Sequence, residues 1–157
     1  MKAVVSTTYQ NKAWFLIAIV AVIFFSCGGS DPEPKVTEAQ KVTRMLTAGG
    51  GRWTLPASGG VTVDGVDVTD DLFAGFSITF GDQTLTTTGT TPVWLRQDTW
   101  RFKDETAKVF IRGQDDREVT ITEISEAQLK LTLEWPASTT GGRQGSLKGK
   151  HEFTLNK

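Results

Sequence analysis

Two residue types with wide chemical reach occur once each in this chain, Cys27 and His151. A thiol can be a nucleophile, a metal ligand, a disulfide partner or an acylation point, and an imidazole can carry a proton or bind a metal. One cysteine cannot close an internal disulfide. One histidine and one cysteine supply too few of the nitrogen and sulfur ligands zinc prefers, so no metal and no cofactor are expected. A serine hydrolase would need His151 beside an activated serine, and the chain has no Gly-x-Ser-x-Gly turn. Asp64, Asp67, Asp70 and Asp71 crowd into "DGVDVTDD". They lack the alternate-acid spacing of a calcium loop and read as turn residues. No catalytic residue is assigned, and the expectation is a non-enzymatic protein.

Cys27 gains meaning from its surroundings. Residues 1–12 carry Lys2 and Lys12 and no acid, and Ala13–Phe25, "AWFLIAIVAVIFF", is wholly apolar. A cationic stretch, a short apolar core and then small residues make a secretory signal. As a helix the apolar run spans about 20 Å, short of a hydrocarbon core of roughly 30 Å. The boundary "FFSCGG" resembles a bacterial lipobox, with Ser26 before and Gly28 after the cysteine and Phe24 in place of the usual leucine. That resemblance implies cleavage between Ser26 and Cys27 and acylation of the Cys27 thiol. A lone thiol in an oxidising compartment is otherwise a liability. Residues 27–35 then form a flexible tether, since "GGSDPEPK" offers nothing apolar to pack. Its early acids resemble the export signal of surface-exposed lipoproteins of the Bacteroidota. Cleavage removes two lysines and no acids, which leaves 15 basic against 18 acidic residues, a net charge of −3. Such a domain is a poor partner for phosphate backbones, and no nucleic-acid binding is expected.

The rest of the chain, 36–157, must supply the fold. Thr37 and Gln40 fit a capping box, and Ala39, Val42, Met45 and Leu46 form an apolar stripe at helical spacing. This predicts one short N-terminal helix, ended by Gly49-Gly50-Gly51 and lying over an open end or edge of the sheet beyond it. From Arg52 the period becomes two. "GVTVDGVDVT" reads as a hairpin about Asp64-Gly65. "GFSITF", "TLTTT", "DTWRFK", "AKVFIR", "REVTITEI", "QLKLTLEW" and "GKHEFTL" each alternate apolar and polar residues. Eight or nine short strands with one dry face predict an all-β antiparallel up-and-down barrel, with a β-sandwich as the alternative. The glycine-rich stretch 136–150 reads as a hairpin loop, because a phosphate-cradling loop would need a helix start after it.

Gly51-Arg52-Trp53 at the first strand resembles the Gly-x-Trp that opens a lipocalin barrel. The longer run through "VTVDGVDVTDDLFAGFSITF", "DTWRFKDE", "REVTITEISEAQLKLTLEW" and "KGKHEFTLNK" resembles lipocalin-like domains of Bacteroidota lipoproteins. The resemblance implies a small lipid-anchored barrel at an outer membrane. The paired cysteines of true lipocalins are missing.

Four of the five tryptophans lie beyond the signal: Trp53, Trp94, Trp100 and Trp135. Trp53 and Trp100 sit in strongly patterned strands and read as core. Trp94, between Val93 and Leu95 in a loop-like stretch, either plugs an opening or rims it, and Trp135 stands at a strand end before Pro136. His151 shares strand parity with Phe153 and Leu155 and reads as an interior residue. Trp94, Trp100, Trp135 and His151 are therefore the candidate contacts for a ligand or partner. Indoles beside a polar mouth suit flat apolar molecules or sugar faces. The expected function is a lipid-anchored binding module of the cell envelope that holds a small apolar or amphiphilic ligand at the barrel mouth. The alternative is a subunit with a filled barrel that touches a protein or glycan.

Overall fold

The computed structural model describes residues 35–136 and 148–157. The signal segment, Ser26, Cys27 and the tether up to Pro34 lie outside the described residues, as does most of the glycine-rich loop, 137–147.

Helix α1 (Glu38–Thr47) starts as the sequence dictates. The Thr37 hydroxyl accepts from the Gln40 amide at 3.2 Å, and the Gln40 side chain accepts from the Thr37 amide at 3.0 Å. Val42 and Leu46 are its buried residues. A 3₁₀ turn at Ala48–Gly50 leads to Gly51, whose φ is 69°. The Phe80 amide donates to the Gly51 carbonyl at 2.9 Å, and a Cβ on Gly51 would collide with the Phe80 carbonyl. Glycine is needed there for both conformation and approach.

The strands are β1 (Arg52–Thr54), β2 (Val61–Val63), β3 (Val66–Asp67), β4 (Ser77–Phe80), β5 (Thr84–Thr88), β6 (Gln97–Phe102), β7 (Val109–Arg112), β8 (Glu118–Ile124), β9 (Gln128–Trp135) and β10 (Gly149–Asn156). A short helix, α2 (Thr69–Leu72), lies between β3 and β4. From β4 to β10 each strand pairs antiparallel with the next, and β1 pairs with both β4 and β10. Eight strands therefore close into an up-and-down barrel with lipocalin-like architecture, rather than a two-sheet sandwich. The seam is short: Thr54 faces Asn156. Beyond it, β2 follows the same side of β10, with Val63 opposite His151, and β3 folds back on β2. The hairpin turns at Asp64 (φ 48°) and Gly65 (φ 83°), the pair of positive angles a two-residue turn requires.

Alternation decides what fills the barrel. Ile78 and Phe80, Leu85, Trp100, Val119 and Ile121, the leucines 129, 131 and 133, and Phe153 and Leu155 are all buried. On β7 it is Phe110, opposite in parity to Val109 and Ile111, that faces inward, and Arg112 follows it. Each large apolar side chain taken from water contributes roughly 1.5–3 kcal/mol. The two ends are closed differently. α1 covers one: the Trp53 indole donates to the Leu46 carbonyl at 3.0 Å, and the Lys157 ammonium donates to the Met45 carbonyl at 3.0 Å while lying 4.5 Å from the centre of the Trp53 ring. The other end, where β5 leads to β6, β7 to β8 and β9 to β10, is closed by chain outside the ladder.

Candidate functional site

Two segments cover this loop end. The first is Thr69–Phe76, fixed by the Thr69 hydroxyl, which accepts from the Val61 amide at 2.8 Å. The second is the loop from Gly89 to Arg96. The Thr90 amide donates to the Ala74 carbonyl at 3.0 Å and ties the two together. Phe73 and Phe76 from the first and Trp94 from the second meet Phe153 of β10. Ring centroids are 5.2 Å apart for Phe73–Phe153, 5.7 Å for Phe76–Phe153 and 5.6 Å for Trp94–Phe153. His151 stacks on Phe153 at 6.3 Å, 16° from parallel, and meets the Phe73 ring at 6.1 Å. Edge-to-face and offset contacts of this kind suit the quadrupoles of aromatic rings.

A buried cation adjoins these rings. Arg112 is 1 % exposed, and its guanidinium lies 5.1 Å from the Trp94 ring centre and 5.9 Å from that of Trp135. It donates through Nη1 to the Val93 carbonyl at 2.6 Å, which pins the Trp94 loop. It donates through Nε to Asp115 Oδ1 at 3.0 Å and through Nη2 to Asp115 Oδ2. Asp98 Oδ2 is 3.9 Å from Arg112 Nε, both side chains being buried. A planar guanidinium suits this fork of carboxylates and the stacking between indoles. Burial alone would raise the Asp115 carboxyl, but hydrogen bonds and charge from Arg112, with a smaller share from Arg117, hold it below the usual range. Arg117 covers Trp135 at 4.2 Å, so the half-buried Trp135 sits among two guanidinium groups.

His151 is fully buried. Its Nδ1 is 3.2 Å from the Gly149 carbonyl, an acceptor only, so Nδ1 carries the proton and Nε2 a lone pair. Burial pushes its pKa down, and this outweighs the Gly149 carbonyl and the charges of Asp64 and Glu134. The ring is neutral at pH 7. Among the described residues, Trp94 Nε1, Asp98 Oδ2 and His151 Nε2 are buried without a hydrogen-bond partner.

Three of the four candidate contacts thus gather at the loop end: Trp94, Trp135 and His151. Trp100 does not join them. It packs with Phe80, Phe102 and Phe110, at 5.7, 5.1 and 6.0 Å, and its indole donates to the carbonyls of Gly81 and Thr84. Lipidation at Cys27 and cleavage after Ser26 fall outside the described residues. The aspartates of "DGVDVTDD" include two that shape turns: Asp64 accepts from the Lys150 amide and Asp67 from the Thr69 amide, each at 2.9 Å. Among the described residues, no group of His, Cys, Asp or Glu side chains is placed to hold a metal ion.

Sequence reasoning missed Arg112, Asp98 and Phe73. Parity held a signal for two of them: Arg112 alternates with Phe110, and Asp98 alternates with Trp100. An ionisable residue on the dry face of a strand implies a buried partner. Phe73 follows no strand pattern and offered none. Comparison with family models, curated proteins and solved structures finds no match to this chain.

Proposed function

We propose that the domain is a non-enzymatic interaction module of the bacterial cell envelope, held at a membrane by an acylated Cys27, which meets a protein or glycan through its loop end. The observation that carries this reading is the filled mouth. Phe73, Phe76 and Trp94 pack on Phe153 across the loop end of the barrel, and contacts with a partner then fall to the rim, where Trp135 and Arg117 lie. Anchoring rests on the sequence: the apolar run of 13 residues, the small residues around Cys27 and the polar tether. Acyl chains gain about 0.8 kcal/mol per buried CH₂, so two or more hold a domain at a bilayer without a span.

A second reading keeps a small amphiphilic ligand at the mouth. In its favour are the unpartnered polar atoms of Trp94, Asp98 and His151 at that end. Native mass spectrometry of the chain extracted from its own membranes separates the two. The filled-barrel reading expects the mass of the acylated chain alone, whereas a stoichiometric adduct that survives desalting favours the ligand carrier. Labelled fatty acid should enter the wild type and not Cys27→Ser, and equal labelling of both removes the anchor.

A further inference from the structure

We propose that Thr69–Phe76 is an acid-opened lid, closed at neutral pH over the uncharged ring of His151. The segment stands outside the barrel ladder. It is held by the Thr69 bonds to Val61, by the bond from the Thr90 amide to the Ala74 carbonyl, and by the rings of Phe73 and Phe76. Phe73 is the part of the lid that touches His151. Protonation of Nε2 would put a unit charge and a new N–H donor in a place where, among the described residues, no protein group accepts it. The stacked face of Phe153 offsets only a part of that loss.

Among the described residues, the ionisable groups around the ring do not supply the missing partner. Asp64 in the β2–β3 turn, Glu134 on β9, Lys150 and Glu152 on β10, and Asp70 and Asp71 on the lid are all exposed. Lys150 and Glu152 pair with each other at 2.6 Å, and Asp64 is engaged by the Lys150 amide. Swinging Phe73 away admits water to the imidazolium. The direction comes from burial: the closed state binds the proton less readily than the open one, so acid favours opening. The ratio of closed to open falls by up to about tenfold per pH unit below a pH of about 6.5, the ordinary range of an exposed histidine.

Fluorine NMR on the full chain, labelled with 5-fluorotryptophan in detergent micelles, tests this between pH 7.5 and 5. The single histidine gives one imidazole signal to follow in parallel. The expected result is a Trp94 resonance that shifts or broadens together with the titration of His151, at a midpoint below 6.5, while Trp53 and Trp100 hold still. The change should vanish in His151→Phe, or in His151→Gln if the first variant does not fold. The proposal is overturned if His151 titrates with no change at Trp94, if the folded variants keep the same acid response, or if all the tryptophans move together as in global unfolding.

Discussion

Two aromatic clusters share the barrel, and they treat their polar atoms in opposite ways. The one nearer α1 combines Phe80, Trp100, Phe102 and Phe110, with Trp53 beyond it, and both of its indole N–H groups donate to backbone carbonyls. The cluster at the loop end combines Phe73, Phe76, Trp94, Phe153 and His151, and here the indole of Trp94 and Nε2 of His151 have no partner among the described residues. A buried orphan costs about 1–3 kcal/mol, whereas a made hydrogen bond is worth about 1 kcal/mol. The helix end is therefore the part of the fold built for stability. The loop end gives up stability that packing elsewhere must supply.

The sharpest way to break this contrast is at Arg112. Arg112→Ala leaves Asp98 buried without its cation and should cost about 3–5 kcal/mol in urea denaturation. Arg112→Met combined with Asp98→Asn should recover part of that loss, because the amide keeps an acceptor for the Thr99 and Gln114 amides and leaves no buried charge. If the double variant is as unstable as the single one, the ion pair is not the cause.

Acid is the next largest lever, acting in two separate windows. The unfolded chain binds a proton at His151 more readily than the folded one, so stability falls as pH drops below about 6.5, at up to about 1.4 kcal/mol per unit. His151→Phe should flatten this limb. The depressed Asp115 carboxyl acts lower, its contribution being present above its ordinary 3.8 and lost as pH falls through the folded value. Denaturation midpoints between pH 7.5 and 2 resolve the two limbs.

Smaller still is the difference between two conservative changes. Trp100→Phe forfeits bonds to Gly81 and Thr84, whereas Trp94→Phe removes an orphan donor. The first should be the more destabilising by about 1 kcal/mol. Equal losses would mean that the Trp94 indole finds a partner in solution. At the helix end, Thr37→Ala removes the cap of α1 and should cost about 1 kcal/mol, with no effect on the acid limb assigned to His151.

The barrel was legible because its signal is repetitive. Leu129, Leu131 and Leu133 state one face three times, and Thr37 with Gln40 marks a helix start by local chemistry alone. The hairpin at Asp64-Gly65 was legible for the same reason. The loop end was not, because its parts come from distant stretches that carry no periodic signal. Phe73 lies after a helix of four residues, and Trp94 lies in a loop. Whether Trp94 rims or plugs the mouth depends on Phe76 and Phe153, and no short window contains all three. The same holds for Trp100, whose partners across β4 and β7 send it to the other cluster.

The seam has a mechanical consequence. β1 and β10 meet at a single facing pair, Thr54 and Asn156, whose bond from the Thr54 hydroxyl to the Asn156 carbonyl spans 102 positions of sequence. β10 also carries the ladders to β9 and β2. Until this last strand is in place, β1 and β9 both present raw edges, and the ring exists only as an open ribbon able to recruit a neighbour's strand. Closing it means bringing together the first and last strands of the barrel, a slow kind of step. Any force that peels the chain apart should find its first tear at that one-pair join.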